Sequence, residues 1–332
     1  MTTEFATGLL RTTITLCDGG GYRWTRSAGA LAPAPFSPVN GGLDSRLAAL
    51  DTSGGARLVP GRPGRGQQER TYDVGGPESV AGCLLRDGAH AGLEPAVSAL
   101  GRSLAALHAV PPPVSGPRLV APSRGLARLE RWLTGRAPQM WAAQAGAMLK
   151  DRLGPVRWTT LRAWCAPAST DGADGCDGLG GETEPLVVTH GAPGLGSLVV
   201  DPCSGRADLL IGEDLCLGPW DSDLGWALGE IVELSWQLGG DPRQWQRLID
   251  ALQEGYGRRL GSTWPRHAAA RVALHLHDYI AYVGWQPTEF ERFAAFLTFL
   301  IDLHHVQPQE GSHAAASAFT PGRPLPAGME HG

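Results

Sequence analysis

The stretch "VVTHGAPGLGSLVVD", residues 187–201, decides how this chain is read. Two apolar runs, 187–188 and 198–200, flank a polar turn that holds His190, three glycines and Pro193. Short apolar runs bounded by Gly and Pro read as buried strands. The segment is therefore a strand, a tight loop with chemistry-bearing residues, and a second strand. On its C-terminal side "ADLLIGED", 207–214, supplies a third strand-like run ending in an acidic pair, Glu213 and Asp214.

Helices surround this β cluster. Upstream, "LEPAVSALGRSLAALHAV" places Leu93, Val97, Leu100, Leu104 and Leu107 at helical spacing, and "PPP" at 111–113 stops it. Further helices are expected at 124–135, 138–152, 155–165, 222–238, 242–260, 264–284 and 287–305. The first 70 residues read instead as β-rich and irregular. "GLLRTTITLCDGGGYRWTRSAGAL" suggests two strands around Asp18–Gly21, "LDSRLAALD" a short helix at 43–51, and "ARLVP" and "ERTYDV" further strands. The Gly-rich stretch 167–185 reads as a surface loop and 307–332 as a disordered tail.

Composition narrows the function classes. A chain of 332 residues with 42% hydrophobic content buries a sizeable core. A net charge of -5 gives no argument for nucleic-acid or membrane binding. No apolar run approaches the roughly 20 residues of a membrane span. The N-terminus lacks signal-peptide features, and the six cysteines show no CxxC or zinc-site spacing, so a cytoplasmic location with free thiols is expected. Lys150 is the only lysine, so any other cation in a site must be arginine or histidine.

Three stretches together resemble the aminoglycoside phosphotransferase family, a branch of the protein-kinase-like fold. "SALGRSLAALHAVPPP" resembles the helix before its catalytic region, and "LVVTHGAPGLGSLVVD" the catalytic loop, usually HGDxxxxN. "LLIGEDLCLGPWDSDLGWALGEIVEL" resembles the metal-binding strand and the helix after it. The resemblance implies an α+β, bilobal fold: a small β-rich N-lobe (1–72), a helical C-lobe (73–306) with the β cluster at 185–214, and a tail (307–332). It also marks departures. Ala192 stands in the place of the catalytic Asp, Ser197 in that of the metal-binding Asn, and Gly212 in that of the metal-binding Asp. No strand lysine is present; Arg23 and Arg26 are the nearest candidates to grip phosphates, with Arg57 and Arg70 as further cations.

On that resemblance ATP and Mg2+ are the implied cofactors. Glu213 and Asp214 are candidate replacement metal ligands, since neighbours at the end of a strand face opposite ways and one faces the cleft. Ser197 is a possible hydroxyl ligand. The bland alternative is that the acidic pair is a solvated turn. His190 supports the loop or moves a proton. Asp223 caps a helix or locks the loop, with Asp221 as competitor. Glu230 and Glu233 are read as a solvated edge, and Gly19–Gly21 as a hairpin turn or a phosphate-covering loop. A hinge at 70–74 would offer the backbone of Tyr72 or Val74 to adenine. The pattern also resembles phosphotransferase-like proteins of thioamitide and class V lanthipeptide biosynthesis. It then implies an atypical phosphotransferase that phosphorylates Ser or Thr of a precursor peptide, with a separate lyase as the partner that eliminates the phosphate. A pseudokinase scaffold and a small-molecule kinase with an acidic pocket (Glu230, Glu233, Asp278, Glu289, Glu291) are the alternatives.

Overall fold

Two strands that the sequence suggests are three, because "TTEFA" at the N-terminus adds an edge strand whose residues are all exposed and so carry no burial pattern. In the computed structural model, which describes residues 2–306 apart from 34, 39, 53, 65–66, 114–118, 120–121 and 167–184, the chain begins with β1 (Thr2–Ala6), β2 (Leu10–Leu16) and β3 (Tyr22–Ala28). The turn between β2 and β3 is closed by Cys17 N–H donating to the Gly21 carbonyl at 3.1 Å. Helix α1 (Gly41–Ala48) starts at Asn40, whose side chain accepts from Leu43 N–H; this cap lies three residues ahead of the helix start read from the sequence. Strands β4 (Arg57–Pro60), β5 (Arg62–Pro63) and β6 (Glu69–Val74) follow.

An antiparallel sheet runs in the order β1-β2-β3-β6-β5. Alternation along two of its strands sets one buried face: Trp24 and Arg26 from β3, and Arg70, Tyr72 and Val74 from β6. Strand β4 leaves this sheet and joins another.

Beyond the connection Gly75–Pro77 come β7 (Glu78–Ser79) and α2 (Val80–Asp87), with the Ser79 hydroxyl capping the helix at Gly82 N–H. Helices α3 (Glu94–His108), α4 (Arg124–Leu133) and α5 (Met140–Trp164) follow. The last is bent at Gly154–Pro155, where the sequence places a break between two helices. The β cluster comprises β8 (Val187–Thr189), β9 (Leu198–Val200), β10 (Ala207–Ile211) and β11 (Cys216–Gly218). β8 pairs with β11, while the second sheet has the order β4-β10-β9-β7, with β4 parallel to β10. Strand β4 thus stitches the first 72 residues to the cluster. Helices α6 (Trp220–Leu238), α7 (Pro242–Tyr256), α8 (Trp264–Tyr282) and α9 (Pro287–Val306) complete the described chain. The loop expected at 167–185 and the tail expected at 307–332 lie, but for residue 185, outside the described residues.

The main core joins α3, α6, α7, α8 and α9 through side chains such as Leu100, Leu104, Ile231, Leu252, Leu276 and Phe290. A smaller core of Ile14, Trp24, Tyr72, Val74, Val199 and Leu210 lies between the two sheets. It draws its members from both halves of the chain and so positions the site. None of the described helices is long and apolar enough to cross a membrane.

Candidate active site

The loop from His190 to Ser197 runs between β8 and β9 and is held from below by two carboxylates, Asp223 and Glu230. Asp223, almost fully buried in the first turn of α6, accepts from His190 N–H at 2.6 Å and from Gly191 N–H at 3.0 Å. Its Oδ2 also meets His108 Nε2 at 3.0 Å, and His108 Nδ1 meets the Tyr256 hydroxyl at 2.8 Å. With Nε2 protonated, His108 donates to Asp223 and accepts from the tyrosine. Asp223 therefore locks the loop, and Pro219 occupies the cap position of α6. Asp221 faces His267 at 3.2 Å and takes no part.

The second support is Glu230, whose Oε2 accepts from Leu195 N–H at 2.9 Å. Burial raises its carboxyl above the ordinary range against the pull of Arg271. This buried role replaces the solvated edge read for Glu230. Glu233, also buried, is bonded to His275 and lies 3.2 Å from Arg271. Both glutamates point into the helical core because α6 packs on α8 through that face.

His190 was expected among the catalytic residues, and the structure spends both its ring nitrogens on backbone. Nε2 donates to the Leu210 carbonyl at 2.8 Å, and Nδ1 accepts from Ala192 N–H at 3.4 Å. Only 5% of the residue is exposed. The geometry fits loop support and leaves no nitrogen for proton transfer.

Above the loop, Arg26 reaches down from β3. Its Nη1 donates to Ser197 Oγ at 3.0 Å and to Glu213 Oε1 at 3.3 Å, and its Nη2 to the Gly196 carbonyl at 2.7 Å. Tyr72 donates its hydroxyl to the same Glu213 oxygen at 2.7 Å. Burial, with Glu213 beside it, pushes the Tyr72 phenol well above its ordinary range, so it stays a donor. Arg26 is 7% exposed, and its Nε is buried with no hydrogen-bond partner. Glu213 and Ser197 thus converge, on a guanidinium.

Asp214 faces elsewhere. Arg124, the first residue of α4, grips it in a two-pronged fork, Nε to Oδ1 at 2.6 Å and Nη2 to Oδ2 at 3.1 Å. Arg124 also lies over the Phe36 ring, 4.9 Å from its centre. Before this pair, Gly212 adopts φ = 111°, a backbone that side-chain-bearing residues rarely take. The carboxylate that the resemblance places at 212 has no equivalent, and its two successors are divided between two arginines.

The nucleotide-binding candidates separate too. Arg23 is three positions from Arg26 on the same strand, an odd spacing, so it lies on the opposite, exposed face of β3, paired with Asp73 at 3.0 Å. Tyr72 and Val74 lie within β6, in register with Trp24 and Tyr22 of β3. The link out of the sheet is Gly75–Pro77, further along than the hinge read at 70–74. There Gly75 N–H donates to Asp208 at 2.8 Å, and the Gly76 carbonyl accepts from Trp24 Nε1 at 3.0 Å. Arg70 turns to the Ser37 carbonyl at 2.6 Å, while Arg57 forks onto Asp208 at 2.8 and 3.1 Å.

Does this set fit magnesium? Mg2+ needs one or two carboxylates with free oxygens, together with phosphate and water, at about 2.0–2.1 Å. Among the described residues no three His, Cys, Asp or Glu side chains cluster to hold a metal. Ser197 and Glu213 already face Arg26, and each carboxylate oxygen of Asp214 accepts from Arg124. As arranged, the residues do not fit a divalent cation.

Residues 22–270 match the model of the Phosphotransferase enzyme family (APH). A search of curated proteins finds no match. Among solved structures, a choline/ethanolamine kinase family protein from Mesorhizobium loti is similar at 12% identity. It covers 96% of this chain and 91% of its own, with a TM-score of 0.50. The amicoumacin kinase hAmiN, solved with AMP-PNP, Ca2+ and Ami, shares 13% identity over 91% of this chain and 88% of its own, with a TM-score of 0.52. The aminoglycoside phosphotransferase APH(3'')-Id from Streptomyces rimosus shares 15% identity over 82% and 92%, with a TM-score of 0.45.

Proposed function

The chain belongs to the phosphotransferase enzyme family and has its APH, protein-kinase-like fold, and from that premise we propose that it works as a binding scaffold whose transfer site is closed. The observation that carries this reading is Arg26. A buried guanidinium sits against the hydroxyl and carboxylate that would otherwise face a metal, while Arg124 takes the second carboxylate. Phosphoryl transfer depends on positioning and on neutralising phosphate charge. Here Ala192 offers no carboxylate to a nucleophile, and the neighbouring acids already have their countercharge. What the fold keeps is a rigid loop and two sheets stitched together, suited to hold a peptide for another enzyme. The partners on this reading are a precursor peptide and a lyase-type protein.

The family match across both halves of the chain favours a second reading. On it the chain phosphorylates Ser or Thr of that peptide with ATP and Mg2+, ahead of elimination by the lyase. Glu213 and Asp214 would then first have to leave Arg26 and Arg124. A small-molecule kinase with an acidic pocket is less supported, since its acids are paired: Asp278 with Arg128, Glu289 with Arg292, Glu291 with Arg152, and Glu233 with Arg271.

One experiment decides. The protein is incubated with a Ser/Thr-containing precursor peptide of the class V lanthipeptide type, ATP and Mg2+, and the peptide is read by intact mass with binding followed by calorimetry. Saturable peptide binding with no phosphate gained is expected. Stoichiometric phosphorylation overturns the scaffold reading.

A further inference from the structure

We infer that the nucleotide slot is filled from within by strand β3: the Trp24 indole stands where an adenine ring would lie, and Arg26 where metal-bound phosphates would lie. The inference rests on the reading of a closed site and says what closes it. Trp24 and Arg26 are two apart on one strand, so both project from the same face. Trp24 is 4% exposed. Its small core holds Ile14, Tyr72 and Val74 from the first sheet, and Val199 and Leu210 from the second. The ring is therefore sandwiched between the two halves of the chain.

Its one polar atom points at the link between them. Trp24 Nε1–H donates to the Gly76 carbonyl at 3.0 Å. Adenine offers the same features: a flat fused bicycle, two apolar faces and an N–H donor on its edge. The link itself is drawn against β9, and a Cβ at Gly76 would fall 1.8 Å from the Val200 carbonyl oxygen. The indole and this contact close the base end, and Arg26, on Ser197, Gly196 and Glu213, closes the other.

An ordinary core tryptophan would also be buried and would also seek a partner for its N–H. The two ideas differ in what the emptied space accepts. Trp24→Ala leaves a hole shaped for a fused bicycle with an unpaired carbonyl at its edge. Adenosine has an exocyclic amine to meet that carbonyl, whereas inosine has an oxygen there. Adenosine, inosine and indole are titrated by calorimetry, without metal, into the wild-type chain and into Trp24→Ala. The wild type is expected to bind none of the three. Trp24→Ala is expected to bind indole and adenosine, with adenosine preferred to inosine by at least about tenfold.

Saturable adenosine binding by the wild type overturns the inference, as does a folded Trp24→Ala that takes indole and refuses adenosine. If Trp24→Ala does not fold, Trp24→Val carries the same titration with a residue suited to a strand, and the wild-type arm refutes in either case. Failure here is separable from failure of the scaffold reading. Wild-type adenosine binding without peptide phosphorylation sinks only the self-filled slot.

Discussion

Arg26→Met tests the closed site at its centre. Methionine keeps most of the apolar stem and removes the charge. The structure sets the expected size of the effect. The Arg26 and Glu213 side chains are 9% and 12% exposed, so their pair is far from the surface regime in which ion pairs contribute about 0–1 kcal/mol. Removing one member leaves Glu213 buried with the Tyr72 hydroxyl still donating to it, and leaves Ser197 Oγ and the Gly196 carbonyl without the Arg26 donor. Breaking a buried pair from one side costs about 3–5 kcal/mol. For a chain of this size that is a fall in Tm on the order of 10 °C. Chemical denaturation followed by circular dichroism measures it. The companion is Glu213→Gln in the Arg26→Met background, which removes the orphaned charge and should recover about 1–3 kcal/mol. A cost below about 1 kcal/mol for Arg26→Met, or no recovery in the double variant, would refute the claim that this guanidinium neutralises the site.

Two other predictions follow from the loop's supports. Asp223→Ala orphans the amides of His190 and Gly191 and the ring N–H of His108. It should cost about 3 kcal/mol or more and speed hydrogen exchange at 190–191, while exchange in α9 keeps its rate. Glu230→Gln keeps an acceptor for Leu195 N–H and removes a carboxyl whose folded pKa burial raises above 4.5, with Arg271 and Glu233 beside it. A carboxyl raised in the folded state contributes stability that is full below 4.5 and fades as pH climbs through the raised value. The variant should therefore gain on the wild type across that climb and hold its lead at neutral pH. Denaturation curves at several pH values check this, and a stability difference independent of pH removes Glu230 from the account.

The fold was readable because its signals are periodic and local. Helical spacing marks α3, α6, α7, α8 and α9, and Gly154–Pro155 marks the bend in α5. Strand β1 was missed because every residue in it is exposed, and β11 because three residues carry no pattern. The pairing of β4 with β10, some 150 residues apart, has no local signature at all. The site divides the same way. Loop residues from His190 to Ser197, and the acidic pair after β10, stand out as a motif. Their partners do not: Arg124 meets Asp214 across 90 residues, and Arg26 meets Glu213 across 187. Trp24 was one more apolar residue in a strand until its N–H found Gly76.

The departures from the family pattern make sense as one electrostatic set. A site built for a metal and phosphates needs excess negative charge on the protein to hold the cation. Ala192 removes the catalytic carboxylate, Ser197 and Gly212 remove the two metal-binding side chains, and what remains near them is Glu213 and Asp214. Two carboxylates left largely buried and uncompensated would each cost several kcal/mol, and one of them would take up a proton. Arg26 and Arg124 supply one positive charge apiece, so the local sum is zero without any ion. A single reversal does not rebuild a metal site from this state. Ala192→Asp would restore a carboxylate at the loop, yet Glu213 would still face Arg26. Recovering cation binding requires removing the guanidinium as well as restoring the ligands. It is this coupling, rather than any one missing aspartate, that argues for a site whose charge is balanced for binding a partner and not for holding a triphosphate.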